Sequence, residues 1–161
     1  MALQALFEAD KTKHSAISVL DRMITELEIL EDASSYLQRI SEMRLVDALE
    51  KQIKNVRLAE PYARELIEGV GIDLHKVDQK IREFAPEFPV QQLSGIDRNI
   101  LRVAIWEGMF HKGTPPKVII NEAVEIAKAF GTEASAKFIN GVLGALLVET
   151  HVSLSPSGEG E

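Results

Sequence analysis

The chain has 161 residues, 18 Lys plus Arg against 25 Asp plus Glu, a net charge of −7, 45% apolar residues and no Cys. That composition fits a globular protein with a substantial core and excludes disulfide frameworks, thiol nucleophiles and thiolate zinc sites. It also argues against coating nucleic acid by bulk charge, and no apolar run approaches the roughly 20 residues of a membrane span; no secretory leader opens the chain, so a cytoplasmic protein without membrane association is expected.

Apolar residues recur at spacings of three and four, and no stretch alternates as a half-buried strand does, so the chain is expected to be all-α with about seven or eight helices. Met1 to Glu8 reads as a first helix, with Leu3, Leu6 and Phe7 on one side. From Ser15 to about Leu30, Ile17, Leu20, Ile24 and Leu27 lay a narrow apolar stripe. Leu37, Ile40, Val46, Leu49, Ile53 and Val56 repeat it on a third helix, so residues 11–57 form an extended helical hairpin. The stripes can pack on the larger core or serve a coiled-coil partner.

Pro61 suits the first turn of a helix whose buried face is Tyr62, Leu66, Ile67 and Val70, and Gly69 and Gly71 mark its end. Asp73 caps the next, with Leu74, Val77, Ile81 and Phe84 inward, until Pro86 and Pro89 stop it. The linker from Ala85 to Gln92 is the best internal boundary, which places a subdomain split near residues 85–93 of a single domain spanning 1–150.

Ser94 and Asp97 have capping-box spacing, and the helix they open carries Ile96, Ile100, Leu101, Val103, Ala104, Ile105, Trp106, Met109 and Phe110 around most of its circumference. It should be the central helix. Thr114-Pro115 caps and starts the next, which runs to Phe130 and stops at a left-handed Gly131. A final helix from about Glu133 to Glu149 has Ala134, Ala136, Gly141, Gly144 and Ala145 among its large apolar residues, small enough for neighbouring helices to approach closely. Residues 151–161 show no apolar periodicity and are expected to be a disordered tail.

Catalytic chemistry finds no constellation. His14, His75, His111 and His151 are scattered without ligand spacing, Gly69-Val70-Gly71 follows no strand, and neither a phosphate-cradling loop nor a hydrolase elbow is present. No cofactor or metal is expected, and a noncatalytic binding function remains. Residues 97–140, with 6 basic and 5 acidic groups, are the only segment with a basic excess and the place to look for an anionic ligand.

The segment KVIINEAVEIAKAFGTEASAKFINGVL, Lys117 to Leu143, resembles the C-terminal signature of the NusB family of bacterial transcription antitermination factors. IDRNILRVAIWE (Ile96 to Glu107), RELIEGV (Arg64 to Val70) and ALQALFEAD (Ala2 to Asp10) resemble that family's central, earlier and first helices. The resemblance implies a two-subdomain helical bundle that binds boxA RNA. It also implies NusE, a small-subunit ribosomal protein, as partner, and an RNA polymerase antitermination complex that reads through terminators, chiefly on rRNA operons.

Carried over residue by residue, the resemblance places Lys137 and Phe138 on the RNA-facing side of the last helix, where an ammonium neutralises phosphate and a ring stacks on an unpaired base. Phe138 reads equally as a core residue like Val142. Gln4 and Phe7 match first-helix positions that face RNA, with Phe7 also readable as core. Asp97 matches an acidic partner-interface position and reads equally as a capping carboxylate, two roles that are compatible. Arg98 and Arg102, one turn apart, serve partner or RNA, or line a solvated face. Asn121, Glu122, Lys128, Asn140 and Gly141 belong to the signature and read mostly as structural.

Two features depart from the family pattern. An Arg-rich lead-in usual in the family is absent, so either the start lies upstream or RNA affinity is reduced. The 11–57 hairpin is longer than in short members and carries 8 basic and 8 acidic residues, and its stripes offer a homodimer surface. The rival readings are a helical adaptor acting through protein partners alone, and a stand-alone relative of the NusB-like domain attached to some rRNA methyltransferases.

Overall fold

A computed structural model of the chain describes residues 1–40, 44–111 and 113–154, with side chains described for 1–34, 50–111 and 113–147. Among these residues there are six α-helices, one 3-10 helix and no strand: α1 (Ala2–Lys11), α2 (Ala16–Ile40), α3 (Arg44–Phe84), the 3-10 helix Val90–Gln92, α4 (Gly95–Met109), α5 (Pro116–Phe130) and α6 (Glu133–Leu154). The all-α expectation holds, with fewer helices than the seven or eight read from the sequence.

Most of the difference is α3. Three expected helices are one continuous helix, with Pro61 in its interior rather than at a first turn. The ring removes one backbone bond at an exposed position, costing up to about 3 kcal/mol, which the burial of Ala63, Leu66 and Ile67 one turn on offsets. Gly69 and Gly71 do not end the helix either, and Asp73 lies inside it rather than capping a new one. Gly69 is where the Trp106 indole seats: a methyl there would fall inside the ring's van der Waals envelope. Glycine is therefore demanded by close approach, not by termination. Leu37 and Ile40 fall on α2, so the hairpin's second helix starts only at Arg44; the side chains of Leu37, Ile40, Val46 and Leu49 lie outside the described ones.

The chain divides into two compact units, Met1–Glu68 and Gly69–Glu161. The division falls inside α3, whereas the expected boundary near 85–93 lies within the second unit, where Ala85 and Val90 are buried. In the first unit Ala2, Ala5, Val19, Leu20, Ile53, Ala63, Leu66 and Ile67 form the core. Ser15 opens α2 by accepting the Ser18 N–H at 3.1 Å, and Arg22 grips both Glu8 oxygens at 2.8 and 2.7 Å, tying α2 to α1. Arg64 reaches Asp21 at 2.8 Å, and Arg57 pairs with Glu31.

The second unit is centred on Val77, Ile81, Leu101, Ile105, Ile139, Leu143, Leu146 and Leu147, all fully buried. Leu74, expected inward, is 38% exposed although it shares a helix face with the buried Val70, Val77 and Ile81. Asp78 accepts from Arg102 at 2.8 and 2.9 Å, a bidentate pair joining α3 to α4. Asp73 accepts from the Trp106 indole at 3.3 Å and from Lys76 at 2.6 Å, and the Lys76 ammonium, with the indole N–H assisting, holds its carboxyl below the usual carboxylate range against the opposing effect of burial.

Caps distinguish what pattern can and cannot show. Ser94 accepts the Asp97 N–H at 3.0 Å, as the capping-box spacing requires. The cap of α5 is Pro115 with Pro116 at the first helical position, so Thr114 does not cap it. Gly131 is not left-handed, with φ −106° and ψ −149°; a Cβ there would meet the Ala127 carbonyl at 2.8 Å and Ser135 at 2.9 Å. Close packing again explains the glycine. Thr132 and Ser135 cap α6 reciprocally, each backbone N–H donating to the other's hydroxyl at 3.1 Å. That helix continues to Leu154, past the expected end near Glu149, and the remainder of the expected tail, residues 155–161, lies outside the described residues.

Candidate nucleic-acid interface

One helix presents the basic and aromatic pair expected from the sequence. On α6, Lys137 is exposed and pairs with the equally exposed Glu133 at 3.0 Å. Such a surface pair is worth about 0–1 kcal/mol, so the ammonium is easily given up to a phosphate. Phe138 is half-buried, unlike Val142, which is in the core. Its ring meets Phe88 edge-to-face, with centroids 5.2 Å apart and planes at 66°.

Phe88 belongs to the Pro-bounded segment after α3, where its N–H donates to the Ala85 carbonyl at 3.0 Å. The two rings form a ridge with a cleft on either side. The first, about 380 Å³, is lined by Phe84, Pro86, Phe88, Lys137, Phe138 and Gly141. The second, also about 380 Å³, lies toward the start of α6 and takes in Gln92, Ser94, Asp97, Thr132 and Ser135 beside the same rings. Asp97 therefore shares a cleft with Phe138. Its Oδ1 is shielded from solvent with no hydrogen-bond partner among the described residues. Of the expected small-residue approaches on α6, Gly141 and Gly144 make none: a Cβ at either would meet nothing within 4 Å.

Other expected residues are placed differently. Arg102 is committed to Asp78, with only 13% of its side chain exposed, so it positions α4 against α3 rather than presenting a free cation. Arg98 is half-buried on the same helix. In the first unit, Gln4 is exposed and Phe7 half-buried one turn along α1, with the Lys11 ammonium 4.2 Å from the Phe7 ring centroid. A half-buried ring carrying a cation is suited to a base and its phosphate.

Two residues that touch the expected ones escaped sequence reasoning, Phe88 against Phe138 and Lys11 over Phe7. Lys11 was signalled by its i,i+4 spacing from Phe7; Phe88, by being an aromatic residue between two prolines in a stretch with no periodicity to bury it. Among the described residues no group of three or more His, Asp or Glu side chains is placed to hold a metal, and no helix is long and apolar enough to cross a membrane.

A family model described as the NusB family matches residues 1–147. Among curated proteins, the transcription antitermination protein NusB of Dehalococcoides mccartyi (strain 195) is 40% identical over 146 residues, covering 91% of this chain and 84% of the relative. That of Chloroflexus aggregans is 34% identical over 148 residues, covering 91% and 81%. Among solved structures, T. maritima NusB superposes with a TM-score of 0.61 at 28% identity, over 92% of this chain and 86% of the other. A structure of antitermination factors NusB and NusE in complex with dsRNA gives a TM-score of 0.64 at 22% identity, covering 92% and 91%, a likeness of fold.

Proposed function

Because the chain belongs to the NusB family, we propose that it is an RNA-binding antitermination factor: with the ribosomal protein NusE it binds boxA RNA and promotes read-through by RNA polymerase, chiefly on rRNA operons, in the cytoplasm. It carries out no reaction. The observation that supports this reading best is the exposed Lys137 beside the half-buried Phe138 at the mouth of a base-sized cleft. In this reading Lys137, Phe138, Gln4 and Phe7 contact RNA, with Lys11 adding a cation at Phe7. Asp97 meets a basic group of NusE and Arg98 assists on the same helix, while Arg102 acts through the Asp78 pair that holds α4. Each ligand adds contacts for the other, so the ternary complex is tighter than either pair.

The test is a titration of labelled boxA RNA, with and without NusE, at two salt concentrations. Specific binding strengthened by NusE is expected, and Lys137→Ala should lower the log–log salt slope by about 0.7, the share of one phosphate contact on a single strand. Binding to NusE with no RNA contribution would instead support the helical adaptor reading, for which the Asp97 oxygen is the favouring observation. Self-association is a further part of the proposal. Ile29, on α2, is 64% exposed and Leu58, on α3, 71%, and sedimentation of the wild type against Leu58→Glu tests it.

A further inference from the structure

The two clefts flanking the Phe88–Phe138 ridge differ in charge. The one toward the start of α6 has Asp97 as its only charged lining residue, and a carboxylate there repels a phosphodiester. The other has Lys137 at its rim, with Glu87 the other charged residue. Gly141, also in its lining, is exposed, and a Cβ there would meet nothing within 4 Å, so the space beside it is open. Phe88 is 50% exposed although it is a large apolar ring, held in place by the turn to Ala85 and the edge-to-face contact with Phe138.

We propose that Phe88 is a second base-stacking residue: it and Phe138 wall a seat for one unpaired RNA base in the Lys137 cleft, beside Gly141, with Lys137 on the adjoining phosphate. This rests on the RNA-binding reading above and adds to it a residue and a boundary. The cleft volume of about 380 Å³ lies in the range of sites that enclose a small planar ligand. An exposed ring is already partly desolvated by its neighbour, and a base stacked on it gains contact without ordering a mobile side chain. The base must leave its own stack to enter, so single-stranded RNA is accepted and a duplex is not.

The experiment measures binding of a single-stranded boxA oligonucleotide, carrying one 2-aminopurine at successive positions, to the full chain and to Phe88→Ala, Phe88→Trp, Gly141→Leu, Phe138→Ala and Lys137→Ala, with NusE binding measured separately. A lost base stack is worth about 5- to 150-fold in affinity. Phe88→Ala should weaken binding about 10-fold with the salt slope unchanged, because no charge is removed, and should abolish quenching at one position. Phe88→Trp should bind as wild type. Gly141→Leu, which puts a side chain into the cleft lining while leaving both rings and improving helix propensity, should weaken binding as much as Phe88→Ala. Gly144→Ala, one turn away and outside the cleft, should change nothing.

If Phe88→Ala and Gly141→Leu stay within twofold of wild type while Lys137→Ala and Phe138→Ala weaken binding, the Phe88 seat is refuted and the RNA reading stands. If the oligonucleotide fails to bind or none of these variants matters, both fall. Loss of NusE binding by Phe88→Ala without RNA present, with RNA binding intact, would assign the cleft to the protein partner and overturn the proposal. Equal binding of a duplex of the same sequence would also overturn it.

Discussion

Two glycines in one helix should respond to the same substitution with opposite signs. Gly69 and Gly71 both lie inside α3, where replacing Gly by Ala gains about 1 kcal/mol of helix propensity. At Gly71 nothing lies within 4 Å of the added methyl, so that gain should appear in full. At Gly69 the methyl would overlap the Trp106 indole, a ring only 8% exposed. Overpacking of this kind typically costs about 1–3 kcal/mol, more when the obstructing group is as large as an indole. Full ejection of the ring would cost about 4–6 kcal/mol, from roughly 150–250 Å² at 25 cal/mol/Å², which sets the ceiling.

Balancing the two effects, Gly69→Ala should destabilise the second unit by about 2 kcal/mol, leaving the two variants separated by about 3 kcal/mol. Trp106 is the only tryptophan, so its fluorescence during urea unfolding reports on that unit directly. The Trp106-to-Asp73 hydrogen bond should be lost as well, with a shift in emission in the folded baseline. A Gly69→Ala protein as stable as Gly71→Ala would refute the close-approach argument.

Three further outcomes are expected. Arg102→Ala strips one partner from a largely buried bidentate pair and should cost about 2–3 kcal/mol, somewhat below the fully buried case; a double Arg102→Met, Asp78→Leu variant should recover much of it in urea unfolding. Asp73 has a lowered folded value, so its contribution is present above the ordinary carboxylate value of about 3.9 and is lost as pH falls through the folded value. Urea midpoints from pH 2.5 to 7 should therefore fall more steeply at the acid end for wild type than for Asp73→Asn; parallel curves would contradict the assignment. Ser94→Ala should cost about 1 kcal/mol by removing a cap, whereas Thr114→Ala, which caps nothing, should stay within about 0.5 kcal/mol by thermal unfolding.

What the linear chain determined by itself was local. Periodicity specified an all-helical fold because a 3.6-residue repeat of Ile, Leu and Val can bury one face only as a helix. The Ser94 cap was legible because its donor lies three residues away. Family likeness was legible in four continuous segments outside residues 11–57, and the family model extends it over residues 1–147. The adjacency of Lys137 and Phe138 was legible for the same reason, since neighbouring residues need no fold to bring them together.

Tertiary structure alone decided what depends on residues distant in the chain. Pro61, Gly69 and Gly71 look like punctuation, but packing along α3 and the indole of Trp106 override their local preference. Arg102 looked like a free cation until Asp78, twenty-four residues earlier, was placed against it. Phe88 became half of an aromatic ridge only when the linker after α3 was laid beside α6, fifty residues on. Local pattern records which conformation a segment prefers in isolation; which side chain meets which is decided by the burial of surfaces that the sequence keeps far apart.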